Sequence, residues 1–223
     1  MKTALLLCDE VNPEFVSGHG TYSEMFQRLL KIPMDEFEVF NHQFPASEDY
    51  DAFICTGSRK SVYDNEPWIV KLLSYIREVN TSQKMFVGIC FGHQALAQAL
   101  GGKVEKATAG WLIGVHSFTL TQAMDSFVEF NVLMLCQDQV TKLPTDASVL
   151  ATSQSCPNGM FQLGNNMLGI QGHPEFTKAY NQAVFESRKD RIPEKVRKVA
   201  HESMHKDPDT DFLSNLITSF LEQ

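Results

Sequence analysis

The stretch Met85–Leu100, MFVGICFGHQALAQAL, runs from an unbroken apolar segment through a cysteine between glycines into a helical repeat. A strand that turns abruptly into a helix at a small-residue corner matches the G-x-S-x-G elbow, with Cys90 where the serine would stand. Gly88 and Gly92 permit the tight turn. The helix beginning near His93 aims its positive end and free N–H groups at the sulfur, which favours a thiolate. On this local pattern two readings stay open: a nucleophile, or a buried thiol of the ordinary kind.

Moving outward from the elbow, two more apolar runs read as fully buried strands, TALLLCD (Thr3–Asp9) and DAFICTG (Asp51–Gly57). GTYSEMFQRLLKI, between these two runs, places Tyr22, Phe26, Leu29 and Leu30 on one helical face, and EPWIVKLLSYIREV, between the second run and the elbow, does the same with Trp68, Ile69, Leu72, Leu73 and Ile76. Strands alternating with helices predict an α/β fold built on right-handed crossovers and a parallel sheet. After Leu100 the texture changes. GWLIGVHSFTLT, SVLATSQ, GMFQLG and MLGIQGH read as short strands divided by turns, so this half is predicted to be richer in β-structure. From Lys178 a helical C-terminal tail is expected: YNQAVFESRKDRI, then PEKVRKVAHESM opened by Pro193, then DPDTDFLSNLITSFLEQ with an apolar stripe from Phe212 to Leu221. No repeat, low-complexity tract or linker interrupts the chain, and 1–223 is read as a single domain.

A chain of 223 residues with 43% hydrophobic and 21% charged residues has the composition of an ordinary globular protein. Its net charge of -8 and pI near 5.3 argue against nucleic acid as a partner, since a phosphate backbone calls for a basic face. No apolar run approaches the roughly 18 residues of a membrane span, and acidic residues follow the N-terminal run where a leader would need a cleavage site. That run is read as a first strand. The five cysteines, Cys8, Cys55, Cys90, Cys136 and Cys156, are scattered and odd in number. They are expected to be free thiols in a reducing, cytoplasmic setting.

A second element bears on Cys90. LGIQGHPEF sets His173 and Glu175 at the C-terminal end of another apolar run, which is where open α/β sheets collect their chemistry. Residues two apart in an extended segment share a side, and Pro174 restricts the residue before it. His173 is thus placed to accept the Cys90 proton, with Glu175 fixing its tautomer, although a hydrogen-bonded structural histidine is the plainer reading of His173 by itself. A third element is the glycine-led loop of ICTGSRKSVYD. There Gly57 could offer one N–H to a developing oxyanion and Phe91 another, or the loop could be an ordinary βα turn. Of seven histidines only His201 and His205 stand at helical i, i+4 spacing, without the H-E-x-x-H pattern, so they are read as a solvated helix face and no metal is expected.

Taken together, GICFGHQ (Gly88–Gln94) and GHPEF (Gly172–Phe176) resemble the class I glutamine amidotransferase family. TGSRKSVYDNEPWI, ALAQALGGKV and CQDQVTKLPTDASVLATS add to the likeness, which runs from about Ala4 to Thr177 in the family's order. The resemblance implies a flavodoxin-like three-layer α/β fold with a central, mostly parallel sheet and a nucleophile elbow. It implies Cys90 as nucleophile toward a γ-glutamyl carbonyl, His173 and Glu175 completing a triad, Gly57 and Phe91 as oxyanion donors, and Gln94 holding the glutamyl part. No cofactor is implied. Where relatives such as the guanosine monophosphate synthetase glutaminase carry a histidine before D-x-V, Cys136 stands here. No ATP-binding signature follows, so the resemblance implies a stand-alone hydrolase of a γ-glutamyl amide. Its alternatives are a γ-glutamyl peptidase acting on glutathione-type conjugates, as in plant members that GHGTYSEMF and the tail resemble, an ammonia-supplying subunit of a separate synthetase, and an inactive binding protein of the same fold.

Overall fold

A computed structural model describes residues 1–124 and 127–223, and its first half follows directly from the apolar runs. The elements are β1 (Thr3–Leu7), α1 (Pro13–His19), α2 (Tyr22–Leu30), β2 (Asp35–Glu38), β3 (Ala52–Cys55), α3 (Pro67–Thr81), β4 (Met85–Ile89) and α4 (Phe91–Ala99). They continue with β5 (Lys103–Lys106), β6 (Leu112–Met124), β7 (Phe127–Cys136), β8 (Asp138–Lys142), β9 (Ser148–Ser153), β10 (Cys156–Leu163) and β11 (Met167–Ile170). Helices α5 (Lys178–Ser187), α6 (Glu194–Ser203) and α7 (Thr210–Leu221) form the tail.

Among the described residues the main sheet has nine strands in the order β2-β1-β3-β4-β11-β10-β9-β6-β7. From β2 to β11 every neighbour is parallel. From β11 to β7 every neighbour is antiparallel, the β-rich second half extending the parallel core as hairpins. Strands β5 and β8 pair in a small separate sheet.

Why β1 is buried at every position is visible in its packing. Leu5 and Leu7 join one core layer with Phe26 of α2 and Leu213 and Ile217 of α7. Ala4 and Leu6 point the other way, into a layer with Trp68, Ile69 and Leu72 of α3 and Leu96 of α4. A strand covered on both faces has no polar side to alternate with. The three layers of the expected flavodoxin-like arrangement are therefore present. Helices α5 and α6 contribute Tyr180, Phe185 and Ala200 to a third cluster, against Val115 of β6 and Leu133 of β7.

Local signals set the helix starts. Thr21 Oγ1 accepts from the Glu24 N–H at 3.2 Å while Glu24 Oε2 accepts from the Thr21 N–H at 2.8 Å, a reciprocal capping box that begins α2. Pro67 occupies the first turn of α3, where its missing N–H leaves no bond unmade. Among the described residues no helix is long and apolar enough to cross a membrane.

Candidate active site

Three neighbouring strands of the sheet, β3, β4 and β11, end at one place. Just past β3 lie Thr56 and Gly57, just past β4 lies Cys90, and just past β11 come Gln171, Gly172 and His173. Backbone hydrogen bonds hold the three ends: Cys90 N–H donates to Ile170 O at 2.9 Å, Gly92 N–H to Thr56 O at 3.2 Å, and His173 N–H to Leu133 O of β7 at 2.8 Å.

Cys90 caps α4 with φ 52° and ψ -98°, a conformation that a side chain adopts only under constraint. The constraint is the elbow. A Cβ on Gly88 would sit 2.4 Å from the carbonyl of Gly92, and one on Gly92 would sit 2.3 Å from the carbonyl oxygen of Cys55, so both must be glycine. The sulfur-bearing residue is 5% exposed yet lines a cavity of about 160 Å³ together with Gln94, Cys136 and Asp138.

His173 is 4% exposed, and its Nδ1 lies 2.7 Å from Glu175 Oε1, with Glu175 also buried. Phe176 stacks on the imidazole at 4.0 Å and 7°, fixing the ring plane from the side that Glu175 leaves free. Burial alone would push this imidazole down. The negative charges of Cys90 and Glu175 outweigh it and raise the imidazole from its ordinary 6.5 to about 10, so the ring holds its proton at neutral pH. Gly57 approaches so closely that a Cβ there would meet His173 Cε1 at 2.9 Å. Among the described residues the backbone N–H groups of Gly57 and Phe91 have no protein acceptor. Gly57 packs beside Cys90 and Phe91 follows it in the chain, and two unsatisfied donors close to one buried residue can stabilise an anion there.

Three of the other thiols are held protonated by their surroundings. All five cysteines are free and buried. Burial pushes Cys8 and Cys136 up and takes Cys156 up to about 12, which keeps them protonated. Cys136 thus lines the cavity as a neutral thiol, and it brings no imidazole to that wall. His201 and His205 turn elsewhere, the first to Glu186 at 2.7 Å and the second to the Glu202 carbonyl at 2.6 Å. His93, inside α4, is fully buried and lowered to about 3 by that burial, so it stays neutral.

Sequence reasoning did not reach Gln171. It is fully buried, donates from Nε2 toward Cys90 Sγ at 3.6 Å, and accepts from Gln94 Nε2 at 3.1 Å. Gln94 Nε2 also donates to the Asp138 carbonyl at 2.8 Å, so its amide is oriented with the carbonyl end left over for a ligand. Phe176 was also missed, although it lies within the GHPEF motif, because a stacking partner is not marked by spacing.

Residues 19–189 match the model of the family described as glutamine amidotransferase class-I. The chain belongs to the class I glutamine amidotransferase family. This amidotransferase chain is similar to gamma-glutamyl peptidase 2 of Arabidopsis thaliana, 31% identical over 93% of the chain and 86% of that protein. Gamma-glutamyl peptidase 5 of the same plant is 38% identical over 74% of the chain and 67% of its own length. Among solved structures, a glutamine amidotransferase from Thermotoga maritima superposes with a TM-score of 0.73 at 21% identity, over 99% of this chain and 96% of that one. The amidotransferase fold is shared even where the sequence has largely changed.

Proposed function

We propose that the chain hydrolyses γ-glutamyl amides through a thioester on Cys90. The observation that carries the reading is the meeting of a strained cysteine, a His173 held by Glu175, and the free N–H groups of Gly57 and Phe91 at the end of three strands. Cys90 Sγ attacks the γ-carbonyl carbon, and the oxyanion so formed lies between the Gly57 and Phe91 N–H groups. The C–N bond breaks as His173 gives its proton to the leaving amine. Water then adds to the thioester, His173 takes a proton from it, the C–S bond breaks, and glutamate leaves with Cys90 restored. Glu175 keeps the imidazole in one tautomer and stabilises its charged form. Gln94, oriented by Asp138 and Gln171, holds the glutamyl head. The acid–base step accounts for about 10²- to 10⁴-fold and an oxyanion donor for about 10²- to 10³-fold.

Similarity to the two plant gamma-glutamyl peptidases supports a peptide or conjugate as substrate, and the same half-reaction on glutamine would serve a separate synthetase subunit with ammonia. The purified chain is to be incubated with glutamine and with γ-glutamyl dipeptides, and glutamate release measured. Release from the peptides is the expected result, and release from glutamine alone would favour the ammonia-supplying reading. No glutamate from any of them, with no labelling of Cys90 by a glutamine-analogue electrophile, would leave the inactive binding protein as the better account.

A further inference from the structure

The chain is acidic overall, yet the cavity beside Cys90 is walled by cations: Arg59, Lys60, Lys106, Arg188 and Arg191, against the single acid Asp138. Two of these are already neutralised, Arg59 by Asp9 at 2.8 Å and Lys60 by Glu66 at 2.5 Å. Asp138 accepts from Ser61 Oγ at 2.5 Å and from Tyr63 OH at 2.9 Å. Among the described residues, no carboxylate stands within ion-pair distance of Lys106, Arg188 or Arg191.

Arg188 and Arg191 are set by one turn at the end of α5, in which the Arg191 N–H donates to the Arg188 carbonyl at 2.8 Å. The Arg191 guanidinium lies over the Trp111 ring at 5.9 Å, which limits its freedom. Both arginines also line a second cavity, of about 230 Å³, whose walls include Phe15, Tyr22 and Tyr180 and the acids Asp9, already paired with Arg59, and Glu10. They therefore stand on the wall shared by the two cavities. Arg188 is half-buried, and withdrawal from water makes an unpaired guanidinium costly unless an anion joins it. A γ-glutamyl head brings one carboxylate and one ammonium, so it adds no net charge and leaves this cationic excess standing.

We propose that Arg188 and Arg191 form a carboxylate-binding subsite on the wall shared by the two cavities. This subsite selects γ-glutamyl substrates whose leaving amine carries its own carboxylate. The inference rests on the hydrolase reading above and adds which amides are preferred: an amino acid or peptide as leaving group, in place of ammonia or a neutral amine.

The test compares γ-glutamylglycine with γ-glutamylglycinamide on the full-length chain, two substrates that differ only in the distal carboxylate. Wild type is expected to prefer the acid by roughly 10- to 100-fold in kcat/KM, the range of a hydrogen bond to a charged group. Added salt should narrow that ratio, because part of it is Coulombic. Arg188→Gln with Arg191→Gln should bring the ratio close to one, Arg191→Gln alone should reduce it, and Arg191→Lys should retain a part of it. Equal kcat/KM for the two substrates on wild type, or an undiminished ratio in the folded double variant, would overturn the subsite and leave the hydrolase standing. Release of glutamate from neither substrate by wild type would overturn the hydrolase reading, and the subsite with it.

Discussion

At Cys90 the backbone has φ 52° and ψ -98°, and such a conformation costs on the order of 1–3 kcal/mol for a residue with a side chain. Relieving it should be measurable: Cys90→Gly is expected to exceed Cys90→Ala by about 1 kcal/mol in urea unfolding, the reverse of the usual glycine penalty. Equal stability would mean the elbow stores no strain. The pH dependence of the reaction belongs to this scale too. In the proposed reaction His173 must be protonated to release the amine, and its imidazole is raised to about 10 with the charges of Cys90 and Glu175 among the causes. Activity should therefore fall as pH rises through that region. Removing one of the charges, in Glu175→Gln, lowers the imidazole toward its ordinary range, so the basic limb of kcat/KM should move to lower pH and the rate at its optimum should drop. An unmoved limb would show that Glu175 does not act on His173.

At the scale of elements, the corner between β4 and α4 depends on backbone packed against backbone. Gly92→Ala would put a methyl carbon 2.3 Å from the Cys55 carbonyl, in a place where no flexible side chain can yield. A loss of about 1–3 kcal/mol in unfolding free energy is expected, with glutamate release falling alongside it, because the same shift moves Gly57 and Cys90 apart. The corner was legible in the sequence because its marks are local: an apolar run, small residues around a cysteine, and a helical repeat. So were β1, β3 and β11, buried on both faces. Strand β2 was not, since DEFE on the sheet edge has two exposed acids and pairs with β1 through backbone alone. Nor was β7, whose pairing in register with β6, Leu112 opposite Cys136 through Thr119 opposite Glu129, depends on a partner rather than on its own pattern. The short pair β5 and β8 likewise owes its existence to a contact between distant segments.

For the molecule as a whole, the parallel order β3-β4-β11 brings residues 57, 90 and 173 to one sheet edge, although more than half the chain separates the first from the last. That Cys90, His173 and Glu175 come together could be expected ahead of the structure because each sits in a short motif at a strand end. Gln171, Trp111, Arg188 and Arg191 could not, because each belongs to the site only through tertiary packing. The same distinction explains how an acidic chain carries a cationic cavity: net charge is a sum over the surface, and it does not report where a few arginines converge. The nucleophile assignment is tested by glutamate release from a γ-glutamyl dipeptide by wild type and by folded Cys90→Ala at equal concentration. If Cys90 attacks the γ-glutamyl carbonyl, wild type releases glutamate and the variant loses more than about a thousandfold, whereas a variant that keeps the wild-type rate would contradict a Cys90 nucleophile.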